Sequence, residues 1–314
     1  MRIVFFGTPD FAASVLKHLI QTTHHEIVAI VSKPDAQKGR GLALCPTAVK
    51  VVAQQLVPSV PLLQPERASI PQIVDQLKAL APDVFLVVAY GEILKAPTLE
   101  IPPLGCYNVH ASLLPSYRGA APIQRSLMNG CEKTGISIFR LTKGMDSGDI
   151  IWQKSCSVGP DMNAEELTAC LLDLAKEGSV ESMRLLETGD ATFTSQRHEE
   201  ATLAPRITPE DLVLDQARDV TALHDTIRAL SPTPGAFFWI TYRERRLRLK
   251  ALRTHVDPTT GGPHRRWCVT EDGSLALGTP DGVLVFDVVQ LEGRSAMTSQ
   301  AFLRGIPLEH ILFV

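Results

Sequence analysis

The chain lacks any apolar run long enough to cross a membrane. Its greasiest stretch, VFLVVAY at 84–90, has the length of one buried strand. The opening MRIVFFGTPDF carries a single basic residue and meets Gly7 and Pro9 too early for the core of a secretory signal, so the cytoplasm is the expected compartment. Cysteine is sparse: six residues, at 45, 106, 131, 156, 170 and 268, with no CxxC pair. That spacing argues against zinc or redox chemistry, and a chain of 314 residues needs no disulfide staples, so the thiols read as reduced core fillers. No metal site is expected. The first strand is followed by FGTPDFA without a GxGxxG pattern, which speaks against a dinucleotide such as NAD and leaves Gly7 as a structural turn. No internal repeat and no low-complexity tract is present.

What remains is ordinary globular composition, 45% apolar and 21% charged, at a length that suggests two domains. The net charge of −3 conceals an uneven distribution. Between Trp239 and Cys268 eight basic residues face only Glu244 and Asp257, a local +6 that bears more on a binding partner than the total does.

The first half alternates strand and helix signals. RIVFF (2–6) reads as a buried strand, with Thr8 and Pro9 suited to the N-cap and first position of a helix over about 10–20. EIVAIV (26–31) is a second strand, followed by a polar loop, KPDAQKGRGLA, longer than a usual connection. Pro46 opens a helix to about 56, and another is expected near 69–80. DVFLVVA (83–89), CYNVH (106–110), GISIFRL (135–141) and DIIWQKSCSV (149–158) continue the strands. NAEE (163–166) has capping-box spacing and starts a helix to about 188. This rhythm predicts a mostly parallel sheet covered on both faces, with chemistry in the loops at the carboxyl ends of its strands.

The character changes near residue 200. After a helix over about 216–230 and the SPTPG break come AFFWITY, RLRLKAL, RWCVT, SLALGT and VLVFDVV, with Asp-Gly turn signals at 272–273 and 281–282 and a short helix near 298–304. A small antiparallel OB-like barrel is the expected form. The division is therefore residues 1–189 for the sheet domain, 190–207 for a linker and 208–314 for the barrel.

The densest polar group at a predicted strand end is Asn108-Val-His110. Alternation puts 108 and 110 on one face, and the loop TKGMDSGD after the next strand brings Asp146 within possible reach. An amide donor, a histidine and a carboxylate suit acyl transfer to an amine: the amide and the imidazolium would hold the oxyanion, while the carboxylate is expected to raise the histidine's pKa and help remove the amine's proton. No Ser or Cys nucleophile stands beside the histidine, which favours direct attack by the amine. Spacing alone leaves bland alternatives open: a hydrogen-bonded structural histidine, a turn-forming aspartate, an asparagine that bonds backbone.

The stretch NVHASLLPSYRGAAPIQRSL (108–127) resembles the folate-dependent formyltransferases, as do FGTPDFA (6–12), KPDAQKGRG (33–41), VVAYGEIL (87–94) and GMDSGDI (144–150) in matching order. The resemblance implies a Rossmann-like domain joined to an OB-like barrel. It implies Asn108, His110 and Asp146 as catalytic residues, and Ser112, Leu113, Leu114 and Pro115 as the lining for 10-formyltetrahydrofolate, the formyl donor, with YGEIL completing the pocket. It further implies that the amine is methionine on initiator methionyl-tRNA, formylated for translation initiation. Arg40 and Lys38 would then approach the acceptor end, and Arg243, Arg245 and Arg246 would contact phosphates. A monomer is expected, with no membrane partner. Two departures stand out: Leu42, Ala43 and Leu44 replace a lysine pair usual after GRG, and Leu214-Asp215-Gln216 replaces an Ile-Asp-Trp turn. Rival readings are a formyltransferase acting on an amino-sugar nucleotide or small ribonucleotide, and a non-catalytic tRNA-binding homologue.

Overall fold

The computed structural model describes residues 1–38, 43–257, 266–279 and 281–314. The chain forms two compact units. The first takes Met1–Gly119, Gly135–Cys156 and Cys170–Leu203; the second takes Ala120–Thr134, Ser157–Ala169 and Ala204–Val314. In chain order the elements up to residue 204 are β1 (Arg2–Gly7), α1 (Asp10–Thr22), β2 (Glu26–Val31), β3 (Ala36–Lys38), β4 (Ala43–Cys45), α2 (Ala48–Leu56), β5 (Leu62–Leu63), α3 (Pro71–Ala79), β6 (Val84–Val88), α4 (Ala96–Leu99), β7 (Cys106–His110), β8 (Arg118–Gly119), α5 (Pro122–Met128), β9 (Lys133–Arg140), β10 (Ile150–Ser157), α6 (Ala164–Thr188) and β11 (Leu203–Ala204).

The first unit is built on a Rossmann-like sheet of order β10-β9-β7-β6-β1-β2-β5. Its central strands are buried on both faces, which is why β6 can be an unbroken VFLVV. β1 pairs in parallel with β2 and β6, and β6 with β7, so these strands share one carboxyl edge. β9 breaks the pattern. It runs antiparallel to β7, with Tyr107 opposite Arg140 and His110 opposite Ser137. Leu141 therefore lies beside Cys106, at the amino end of β7, and donates its N–H to the Cys106 carbonyl. Residue 141 thus ends at the edge opposite to residue 110, not at the shared carboxyl edge that a wholly parallel run of strands would give.

Helix starts follow their local chemistry. The Asn163 side chain accepts from Glu166 N and the Glu166 carboxylate accepts from Asn163 N, the reciprocal box expected at the head of α6. At α1 the expectation shifts by one residue: Pro9 is the N-cap, and the Thr8 hydroxyl donates instead to Tyr90 O. Several short elements escaped the pattern reading. α4 and α5 are too short to show a period, and the polar loop after β2 folds into a hairpin in which Ala36 faces Cys45 and Lys38 faces Ala43.

The second unit adds α7 (Val220–Leu230), β12 (Phe237–Tyr242), β13 (Arg245–Asp257), β14 (Arg266–Val269), β15 (Leu275–Thr279), β16 (Gly282–Leu291), β17 (Met297–Thr298), α8 (Ser299–Gly305) and β18 (Leu312–Phe313). These strands form a curled antiparallel half-barrel of order β14-β15-β16-β13-β12-β18, with β17 on β16, the OB-like architecture expected. Gly273 turns the β14–β15 hairpin at φ +84°, a left-handed position that favours glycine. The core gathers Phe238, Ile240, Leu249, Leu277, Phe286 and Val289 from the sheet, with Leu223 and Ile227 of α7 and Phe302 of α8. Among the described residues no helix is long and apolar enough to cross a membrane.

One charged pair lies inside this unit. Asp225 and Arg228 are both buried, 2.7 Å apart, and Arg228 also donates to the carbonyls of Gly159 and Met162. Arg228→Ala would strand the Asp225 carboxylate and should cost about 3–5 kcal/mol of stability in urea unfolding, whereas the paired change Asp225→Leu with Arg228→Met should recover most of that loss.

Candidate active site

Asn108 and His110 alternate with the buried Val109 on β7, so their side chains leave the same face of the sheet. Asn108 is half-buried, and its side-chain amide makes no hydrogen bond among the described residues. His110 is buried, and its Nε2 lies 2.9 Å from Tyr117 O. A carbonyl oxygen only accepts, so Nε2 carries the ring proton and Nδ1 is the free nitrogen.

Nδ1 looks toward Asp146, whose Oδ2 is 3.8 Å away. That separation is an ion-pair distance rather than a hydrogen bond. Asp146 Oδ2 is occupied instead by Gly119 N at 2.8 Å. Because Leu141 starts at the amino end of β7, the chain travels back along the strand within five residues to deliver this carboxylate. Gly148 makes the return possible: a Cβ there would meet the Arg140 carbonyl. Tyr117 and Asp146 both hold left-handed backbone, φ 60° and 45°. Such conformations cost about 1–3 kcal/mol each and concentrate at sites where geometry is over-determined.

Burial lowers the pKa of His110, and the Asp146 charge and the Tyr117 carbonyl oppose it without overcoming it. The expectation of a raised pKa is therefore corrected. The carboxylate pushes in the expected direction, but desolvation of a nearly enclosed imidazole is the larger effect.

The loop Ser112–Pro115 is tied to the neighbouring strands. Ser112 Oγ donates to Ser116 O at 2.6 Å, and Ser137 Oγ donates to Ser112 O at 2.6 Å while accepting from Leu114 N at 3.0 Å. Gln153 Nε2 donates to both Leu114 O and Ser137 Oγ. The leucine pair is thereby divided. Leu114 is buried against Phe139 and Ile150, whereas Leu113 is half-exposed and packs over Gly135. In YGEIL, Tyr90 is buried, Ile93 is 82% exposed, and Glu92 is held by Ala68 N and by Lys33 Nζ at 2.7 Å.

Arg40 and the Lys38 side chain lie outside the described residues, although Lys38 ends β3. Arg243, Arg245 and Arg246 belong to the second unit and come together at the two-residue turn between β12 and β13. Arg243 and Glu244 turn the chain at φ 48° and 62°. Arg246 lies over the Trp239 ring at 4.3 Å and Arg243 over Tyr242 at 5.1 Å. The three arginines line a cavity of about 480 Å³ with Arg294 and Glu292. A grouping able to hold a metal ion, His24, His25 and Glu187, shares no residue with Asn108, His110 and Asp146.

An unpartnered amide, a buried imidazole with one free nitrogen and a facing carboxylate have the chemistry needed to add an amine to a carbonyl carbon. Residues 1–183 match the family described as formyl transferase, and residues 206–307 match its C-terminal domain. The chain belongs to the formyl transferase family. Among its relatives, the methionyl-tRNA formyltransferase of Protochlamydia amoebophila is 40% identical over all of this chain and 98% of its own length. The enzyme of the same name from Thermotoga maritima is 40% identical, covering 95% of this chain and 93% of its own. Among solved structures, the N-formyltransferase from Helicobacter canadensis superposes with a TM-score of 0.66 at 14% identity, over 90% of this chain and 98% of that one. A sugar 3N-formyl transferase gives 0.63 at 13% identity, over 94% and 99%. At those identities the likeness is one of fold.

Sequence reasoning passed over Tyr117, whose carbonyl orients His110, and Ser137 and Gln153, which hold the Ser112–Pro115 loop. Nothing in their spacing marked them: Tyr117 acts through its backbone carbonyl, and Ser137 and Gln153 bind backbone distant in sequence. An NMR titration of the imidazole should find His110 below the ordinary histidine value of about 6.5, and Asp146→Asn should move it lower still by removing the opposing charge. A value above the ordinary one would contradict this account.

Proposed function

We propose that this chain transfers the formyl group of 10-formyltetrahydrofolate to the amino group of methionine on initiator methionyl-tRNA, in the cytoplasm and for translation initiation. The observation that carries the reading is the half-buried Asn108 amide without a partner, beside a histidine whose free Nδ1 faces Asp146. The relatives' shared name, over nearly their full length, supports the choice of substrate.

In this reading the methionine amine attacks the formyl carbon directly. The Asn108 amide donates to the oxyanion as it forms. His110, neutral at the working pH because of its burial, takes the amine's proton on Nδ1, and Asp146 stabilises the imidazolium that results. The same proton then passes to the nitrogen of the leaving folate as the tetrahedral intermediate collapses. No acyl-enzyme is required. Leu113 and Pro115 offer the apolar surface for the donor's flat ring, while Ser112 and Leu114 keep the loop in shape. No metal or NAD has a part in this scheme.

The proposed division of labour is catalysis in residues 1–189, a connector at 190–207 and tRNA binding by 208–314, in a monomer. The arginines at 243, 245 and 246 would grip phosphates, with Arg40 and Lys38 nearer the acceptor end. The decisive assay supplies 10-formyltetrahydrofolate with charged initiator and elongator methionyl-tRNA. Formylation of the initiator form is expected, and its absence, or formylation of an amino-sugar nucleotide instead, would overturn the assignment. Asn108→Ala should lower turnover by about a hundredfold, the usual loss for one oxyanion donor. Because His110 acts as a base here, kcat/KM should fall as pH drops through its lowered pKa and level off above it.

A further inference from the structure

We infer that Gln196 is a positioning residue for Asp146, acting on the carboxylate through the backbone of the loop that carries it. The inference rests on the formyl-transfer reading above for its kinetic consequences, but its structural basis is independent of the substrate.

Gln196 lies in the polar stretch SQRHEE, yet it is only 7% exposed. Its amide uses all four of its bonding positions. Nε2 donates to Asp146 O at 3.0 Å and to Gly148 O at 2.7 Å. Oε1 accepts from Arg118 Nε at 3.2 Å and from Arg118 Nη2 at 2.6 Å. The two ends are not interchangeable: a flipped amide would set N–H against guanidinium and oxygen against two carbonyls. Arg118 is itself buried, and its Nη2 also meets His198 Nδ1 at 3.0 Å. The neighbours of Gln196 point the same way. Thr194 exchanges backbone hydrogen bonds with Ile150, both 2.9 Å, and Ser195 Oγ donates to Asp149 Oδ1 at 2.8 Å.

Asp146 needs such a clamp. It sits at φ 45°, beyond an exposed stretch at residues 142–145 that includes Met145 at 58% exposure. Its carboxylate is held by one bond, from Gly119 N. Gln196 supplies the second anchor on its carbonyl, and Arg118 connects that anchor to the segment 117–119, which also provides Tyr117 O to His110 and Gly119 N to Asp146. The loop's backbone and the imidazole are thus referred to one rigid strip of chain. Without Gln196 the carboxylate keeps its chemistry and loses its fixed distance from Nδ1.

The test uses the full-length protein with Gln196→Met, which removes both donors and the acceptor, and Gln196→Glu, which keeps the shape and the Arg118 partner but turns an oxygen toward the two carbonyls. Both variants should lose roughly ten- to a hundredfold in kcat, as for an approximately 1 Å misplacement, with KM for the folate little changed. In both, His110 should titrate at lower pH than in the parent, because Asp146 no longer sits close enough to support its charge. Combining either variant with Asp146→Asn should add little further loss, since both act through one carboxylate. A purely structural glutamine would instead lower the melting temperature while leaving the His110 titration in place, and that outcome would overturn the inference. The imidazole titration can be read whether or not any formyl transfer is detected, so a wrong substrate and a wrong role for Gln196 give different results.

Discussion

A buried imidazole with one nitrogen against a carbonyl oxygen has little freedom left. The bond from His110 Nε2 to Tyr117 O settles the tautomer, the ring orientation and the direction of Nδ1 in a single contact. Everything else around the site is arranged about that nitrogen. β7 brings the ring to the sheet's carboxyl edge, the left-handed turn at Tyr117 aims the carbonyl back at it, and the Asp146 loop closes from the other side. Burial then lowers the pKa of the ring against the pull of the carboxylate.

The geometry depends on an irregularity in the sheet. Were β9 parallel to β7, its exit loop would leave at the edge where His110 stands and Asp146 would need no special path. Because β9 is antiparallel, the loop must double back, and it does so over Gly148, where any side chain would strike the Arg140 carbonyl. The doubled-back chain is held by bonds to distant backbone and side chains, from Gly119, Thr194 and Gln196. A site assembled in this way is precise because its strained turns are tied from several sides. The Ser112–Pro115 loop follows the same rule, with Ser137 and Gln153 binding Ser112 O, Leu114 N and Leu114 O from two adjacent strands.

The second unit solves a different problem. Its half-barrel packs α7 and α8 against a curled sheet, and the buried Asp225–Arg228 pair ties the carbonyls at Gly159 and Met162 to α7. On its surface the turn at Arg243 and Glu244 gathers cations over aromatic rings. Arg246 sits 4.3 Å over the Trp239 ring, a cation–π contact that covers an aromatic face.

Much of this architecture was legible without coordinates, where the signal is local. The VFLVV run declares a strand buried on both faces, Asn163 and Glu166 declare a helix start, Asp272-Gly273 declares a hairpin, and the alternation of Asn108 and His110 declares a shared face. Each rests on residues within a few positions of one another, so periodicity and turn chemistry suffice. The expectation of a raised His110 pKa failed for the opposite reason: charge is visible in a sequence, but desolvation depends on how completely the folded chain encloses a ring. The short α4 and α5, the antiparallel β9, the division of Leu113 from Leu114 and the grip of Gln196 on Asp146 are likewise decided by segments tens of residues apart. The sequence by itself determined the long strands and helices and offered three groups with the chemistry for acyl transfer. Only the tertiary structure decided which nitrogen of His110 is free and what holds Asp146 beside it, because hydrogen bonds and burial between distant segments exist only once the chain has closed around them.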